Sequence, residues 1–298
     1  MEGRKLNRLA ALPVALLILI PGILPSLRAQ ETGERGTLPG VEKILAAALE
    51  VAERYEGEEV RARFSHRVRT SSEKLDDDGK VVSAETTRKR ALPIQGFLFE
   101  ELIEKDGRPL SPDEKESEEE RKQEFLEQIR EGRDPNEDER QRVFFDQKLI
   151  DKYEFDLLGI KERANRKSFV LSFRPKAGDL PVETRMDRAL NKSEGEIWID
   201  CEEYELSFVR FELREKIRIW WGFVGSISEM RGSVERTKVS EGIWLPAKFA
   251  LYLNGKIFFR ALHRQETIEW SDFQPVKQTT KERSPVATKL LPAATGSN

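Results

Sequence analysis

The chain has 298 residues, 51 Lys+Arg against 54 Asp+Glu, two His and one Cys, for a formal charge of -3. One Cys excludes an intramolecular disulfide framework and a CxxC zinc site, and two His leave little for a His-based metal site or triad. A slightly acidic balance with no basic stripe argues against a nucleic-acid partner.

Arg4, Lys5 and Arg8 precede an apolar run from Leu9 to Ile20, which Pro21, Gly22 and Pro25 break before the small residue Ala29. That layout predicts a secretory signal peptide over 1–29 and a periplasmic or otherwise secreted protein. The alternative is an uncleaved inner-membrane anchor, which the prolines in the run disfavour as a spanning helix. Cleavage removes four cations and one anion, leaving 47 Lys+Arg against 53 Asp+Glu and no membrane span.

After a loose arm over 30–40, Val41, Ile44, Leu45, Ala48, Ala52 and Tyr55 recur at helical spacing and predict an amphipathic helix over 41–56. From Glu59 the period becomes two. Val60, Ala62, Phe64, His66 and Val68 alternate with Arg61, Arg63, Ser65, Arg67 and Arg69, which predicts a half-buried strand with a cationic outer face. Asp76–Lys80 reads as a hairpin turn because Asp-Gly supplies positive φ. A calcium loop there would need a carboxylate where Lys74 stands. Strands follow at 80–91 and 97–103.

Ser111, Pro112 and Glu114 form a capping box opening a highly charged helix over 111–132. Residues 106–142 therefore read as a charged helical insertion between strands. Further strands are expected at 152–160, 167–174, 194–200, 204–219, 221–240, 243–253 and 255–269, the last two joined by an Asn254-Gly255 turn. Residues 278–298 are polar, without periodicity, and read as a disordered tail. Residues 30–277 thus form one α+β domain. Its strongly curved antiparallel sheet is an unclosed half-barrel of about ten strands, with the two helices packed at its mouth.

No Walker loop, GxGxxG, HExxH or GxSxG is present, so no catalytic residue, metal or cofactor is assigned. His66 and His263 fall on apolar strand phases and read as core residues, and Cys201 as a buried, inert thiol. The aromatic phases carry more information. Phe155; Phe169, Leu171 and Phe173; Val209, Phe211 and Leu213; Phe249 and Leu251; and Ile257 and Phe259 each lie on one phase of a strand. If those strands are neighbours, the eleven side chains share a face. That face is either an ordinary core under the first helix or the lining of a cavity for an acyl chain. Trp220 and Trp221 place one indole on each face.

The stretch Gly195-Glu196-Ile197-Trp198-Ile199-Asp200, with Tyr204, Leu206 and Val209-Arg210-Phe211-Glu212, and the stretch Gly242-Ile243-Trp244-Leu245-Pro246 resemble strands of the LolA-like periplasmic outer-membrane lipoprotein-sorting superfamily. The resemblance covers roughly 41–270. It implies a half-barrel with helices over its mouth and a hydrophobic interior, and a non-enzymatic carrier or binding protein for a lipid or the acyl chain of a lipoprotein. The charged insertion departs from the minimal carrier pattern, and the carrier's functional arginine and lid loop match no position here, so no functional residue is carried over. The competing expectation is an envelope scaffold with a filled core that captures a protein partner through the helix at 111–132.

Overall fold

The computed structural model describes residues 38–54, 60–136, 145–182, 187–219, 225–258 and 260–276. The expected signal peptide and tail, Trp220, Trp221, Tyr55 and Phe259 lie outside these residues.

Helix α1 spans Val41–Glu53 and buries Ile44, Leu45, Ala48 and Val51 on one face. The strands are β1 (Phe64–Leu75), β2 (Val81–Ile94), β3 (Phe97–Lys105), β4 (Arg108–Pro109), β5 (Tyr153–Arg163), β6 (Arg166–Pro175), β7 (Ser193–Asp200), β8 (Leu206–Leu213), β9 (Ile217–Ile219), β10 (Gly225–Ser240), β11 (Ile243–Ile257) and β12 (Arg260–Pro275). Three further helices are interleaved: α2 (Pro112–Arg130), α3 (Gln147–Asp151) and α4 (Asp187–Leu190).

All twelve strands belong to one sheet in the order β4-β3-β2-β1-β12-β11-β10-β8-β7-β6-β5, with β9 pairing β10 off this path. Every pairing is antiparallel. The β3–β4 end and β5 do not pair with each other, so the sheet is unclosed. Ten strand spacings of about 4.8 Å would carry a flat sheet roughly 48 Å across, more than twice the ~20 Å length of a 13-residue helix. Yet Leu98 of β3, Leu157 of β5 and Ile44 and Leu45 of α1 share one apolar cluster. The sheet therefore curls around α1 as an open half-barrel.

Three elements differ from the sequence expectation. Residues 60–63 form a 3-10 turn instead of the start of β1, and it buries Arg61 along with Val60 and Ala62. The cause is the end of the neighbouring strand: Phe64 pairs with Pro275, and Val276 then bonds the Arg63 carbonyl. The expected strand over 204–219 is two strands. β8 ends at Leu213 opposite Ser193, where β7 begins, and Arg214 N–H turns to the Lys192 carbonyl before β9 pairs with β10.

Asn254-Gly255 is not a turn; it lies within β11, with Gly255 between Ile227 of β10 and Leu262 of β12. Glycine is needed there for close approach, because a Cβ would sit 2.3 Å from the Ser226 carbonyl oxygen. β11 and β12 stay paired as far as Ile257 opposite Arg260, and Phe258 has φ 46°. By contrast, Asp76 anchors its hairpin as expected, its carboxylate accepting from Asp78 N–H at 3.0 Å and Lys80 N–H at 2.8 Å.

The charged insertion serves the sheet edge. The Ser111–Glu114 capping box is formed, and α2 then runs beside β3. Glu118 accepts from Leu102 N–H at 2.8 Å, and Arg121 donates to the Glu100 carbonyl. Beyond the helix, Asn136 accepts from Leu98 N–H at 3.2 Å and donates to the Leu98 carbonyl at 3.1 Å. Side chains thus take over the ladder bonds at residues 98, 100 and 102, which an open edge would offer to another strand. Phe125 docks edge-to-face on the fully buried Phe99 at 5.1 Å, and the Arg121 guanidinium lies 4.3 Å from the Phe99 ring centroid.

Candidate functional site

The register places the aromatic phases in rows across the inner face. One row reads Leu157, Leu171, Ile197, Val209, Val234, Phe249 and Ile268, one residue each from β5, β6, β7, β8, β10, β11 and β12. The next reads Phe155, Phe173, Gly195, Phe211, Gly232, Leu251 and Glu266 across the same strands.

The two rows differ in cover. Leu171, Ile197, Val209, Val234 and Phe249 are buried, and they belong with Ile44, Leu45 and Ala48 of α1 to one cluster. In the second row Phe155, Phe173, Phe211 and Leu251 are only half-buried against it. Two glycines shape that row. A Cβ at Gly195 would meet the Arg210 carbonyl oxygen at 1.9 Å, and one at Gly232 would meet the Phe211 ring at 2.5 Å, so the Phe211 ring lies across Gly232. Phe173 packs edge-to-face on Tyr153 at 5.2 Å, and the Tyr153 hydroxyl donates to the Leu190 carbonyl at 2.6 Å. Burial pushes the Tyr153 hydroxyl pKa up.

Of the eleven side chains singled out from sequence, Phe155, Phe169, Leu171, Phe173, Val209, Phe211, Phe249 and Leu251 meet in this cluster. Leu213 and Ile257 are half-buried on their strands outside it. Sequence reasoning missed Ile268, inside the expected strand 255–269, and Trp270, just beyond its end, because β12 runs from Arg260 to Pro275. It also missed the polar end of the second row, where Glu266 faces inward 3.6 Å from Arg264, which in turn bonds Ser72 at 2.8 Å. Burial raises the Glu266 pKa, with Arg264 opposing it. These two rows therefore lose their apolar character at β12 and β1, where the first continues to Thr70 and the second to Ser72, while the cluster runs on beside them through Trp270, Val68 and Ala91.

Polar residues below this face are structural. At the β7–β8 turn, Arg166 forks onto the fully buried Asp200 with two bonds of 2.7 Å. Arg236 and Glu205 form an ion pair at 2.8 Å, both buried, and Arg236 also donates to the carbonyls of Leu206 at 3.1 Å and Trp244 at 2.7 Å. Burial pushes Glu205 up to about 7 against the pull of Arg236, and its Oε1 has no hydrogen-bond partner among the described residues. Cys201 is half-buried, and burial beside Asp200 pushes its thiol pKa up. His66 is buried 5.2 Å from the Phe273 ring. His263 is buried too: its Nδ1 donates to the Asp76 carbonyl at 2.6 Å, and its Nε2 lies 2.7 Å from the Tyr252 hydroxyl. Both histidines are thus core residues.

Among the described residues no group of three or more His, Cys, Asp or Glu side chains is placed to hold a metal ion. No helix among them is long and apolar enough to cross a membrane.

No family model and no curated protein matches the chain. Solved structures do resemble it. An outer-membrane lipoprotein-sorting protein domain from Vibrio parahaemolyticus is 13% identical over 80% of this chain and 95% of that one, with a TM-score of 0.35. A LolA superfamily protein from Nitrosomonas europaea is 10% identical over 79% and 93%, with a TM-score of 0.32. A DUF1329 family protein from Desulfovibrio piger is 11% identical over 80% and 95%, with a TM-score of 0.33.

Proposed function

We propose that the chain is a non-enzymatic binding or carrier protein of the cell envelope, exported by residues 1–29, that holds a lipid or the acyl chain of a lipidated partner against the inner face of its half-barrel. The observation that carries this reading is the second inner row. Phe155, Phe173, Phe211 and Leu251 lie half-covered beside a fully packed row, on a concave sheet with α1 at its centre. Burying about fourteen methylenes at about 0.8 kcal/mol each contributes roughly 11 kcal/mol before ordering costs, enough to hold a chain in water. The first row is already filled by α1. A ligand therefore lies along the second row, or takes the place of α1.

The same packing supports a second reading. With Ile44 and Ile199 fully buried, the half-barrel can be a closed-packed scaffold whose partner is another envelope protein. Native mass spectrometry of the chain from residue 30, purified without detergent, separates the two. A co-purifying lipid, or uptake of a fluorescent fatty acid that Phe211→Asp and Phe173→Asp abolish while the fold survives, supports the carrier. An apo mass with no uptake overturns it in favour of the scaffold. In that case deletion of 112–131 should abolish partner capture.

A further inference from the structure

On the outer face the register sets opposite charges across from each other. Glu154 faces Arg174, Glu196 faces Arg210, Lys248 stands between Glu235 and Glu269, and Arg88 and Arg90 face Glu104 and Glu101. Between β1 and β2 this order breaks: Arg67 stands opposite Arg90, and Arg69 opposite Arg88. Like charges directly opposite on an antiparallel pair are destabilising. On its outer sides this two-by-two block of guanidinium groups meets carboxylates, with Arg69 opposite Glu269 of β12, Arg67 paired with Asp272, and Arg88 and Arg90 facing Glu104 and Glu101, so the repulsion is confined to the two facing arginine pairs at its centre.

The block borders a cavity of about 490 Å³ on this face, whose lining includes the cations Arg67, Arg69, Arg88 and Lys248; Lys89, opposite the buried Val68, turns its ammonium to Glu100 on the inner side. The cavity's carboxylates are engaged: Asp272 with Arg67 at 3.1 Å, Glu269 with Lys248 at 3.0 Å and Glu235 with Arg163 at 2.6 Å. Arg88 is held by Glu104 and Lys89 by Glu100, each at 3.0 Å. Arg69, exposed at the centre of the block, makes no ion pair or hydrogen bond among the described residues. Four cations thus border this cavity beside three carboxylates, and of the four Arg69 alone, opposite Glu269, forms no ion pair among the described residues.

From this we infer that the outer face of the β1–β2 hairpin is a phosphate-binding site in which Arg69, with Arg67 and Arg88 beside it, takes the phosphate group of an organic phosphate or a phospholipid headgroup. A multivalent oxyanion relieves the repulsion between the facing arginines, and planar guanidinium forks match its oxygens. The site is on the opposite side of the sheet from the apolar rows and is independent of what they hold.

The test uses the chain from residue 30, with inorganic pyrophosphate as the soluble probe and phosphatidylglycerol against phosphatidylcholine vesicles as the headgroup probe. Saturable binding to either anionic probe, weakened by added salt and by roughly tenfold or more in Arg69→Gln, supports the site, because one charge-assisted contact is lost. Pyrophosphate alone binding identifies a soluble phosphate; vesicle binding displaced by pyrophosphate identifies the headgroup. The melting temperature of Arg69→Gln without ligand should be unchanged or slightly raised, as a like-charge contact is removed. Binding to neither probe by the wild type, or equal binding by wild type and Arg69→Gln, overturns the proposal.

Discussion

Replacing Arg236 with Met tests the accounting of the buried ion pair. The guanidinium is 1% exposed and makes one bond to Glu205 and two to the carbonyls of Leu206 and Trp244. Met fills much of the volume but satisfies none of the three. Glu205 is then left buried with its partner gone, and two carbonyls lose a donor. Breaking one side of a buried pair costs about 3–5 kcal/mol, a large fraction of a domain's net stability. Removing both partners is often near neutral, so Arg236→Met with Glu205→Leu should recover most of the loss. Urea unfolding near neutral pH measures both variants from the midpoint at constant slope. The reasoning fails if Arg236→Met costs less than about 1 kcal/mol, or if the double variant is no more stable than the single one.

The same pair predicts a pH dependence. With Glu205 raised from 4.5 to about 7, the folded chain holds a proton that the unfolded chain releases above the lower value. This contribution, roughly 3 kcal/mol, is fully present below about pH 4.5 and lost as pH rises through about 7. Glu205→Gln should flatten that part of the stability profile, and an unchanged slope would refute the assignment. At the capped edge, Asn136→Ala strands the Leu98 N–H and carbonyl. It should cost about 1–3 kcal/mol and bring concentration-dependent association in analytical ultracentrifugation, whereas a fully monomeric variant of wild-type stability would refute the edge-cap role. Gly195→Ala drives a methyl against the Arg210 carbonyl and should destabilise by roughly 3 kcal/mol or more, read from thermal unfolding. A wild-type melting curve would show that β7 and β8 can separate there.

Much of the fold follows from period and turn chemistry. The period-two runs at 64–69 and 209–213 alternate between a more covered and a more open face, whereas 168–171 is buried throughout, and Asp76-Asp77-Asp78-Gly79 makes the turn its residue types require. The failures have a common origin in neighbours distant in sequence. Asn254-Gly255 carries a strong local turn signal, but the space Gly255 leaves is filled by the β10 backbone at Ser226, some thirty residues earlier. Val60–Arg63 alternates like a strand but folds as a 3-10 turn beside the end of β12 at Pro275. The role of α2 was hidden for a similar reason. Its charges read as a helical insertion or a partner surface, and nothing local shows that Glu118 and Arg121 reach ladder groups of β3. In the candidate site, strand phase alone gathered eight of eleven side chains, since phase decides face. It does not give register, and the pairing of Arg67 with Arg90 and Arg69 with Arg88 is purely a matter of register.

The rows also divide the inner face by polarity. From β5 to β11 the inner face is apolar in both rows, whereas at β12 the second row turns to Glu266 and both reach hydroxyl side chains on β1. An acyl chain laid along the second row gains burial on the β5–β11 side, and advancing along that row onto β12 would desolvate Glu266 further. That boundary makes Leu251→Glu a sharp test of where a ligand ends. The change moves the polar boundary one strand inward while leaving Phe155, Phe173 and Phe211 untouched. If the ligand spans the whole row, Leu251→Glu should weaken fatty-acid uptake by roughly the burial of one Leu side chain, about 2 kcal/mol or some thirtyfold. If uptake is unaffected while Phe173→Asp abolishes it, the chain is confined to β5–β8. If neither change alters uptake, the second row is not the site.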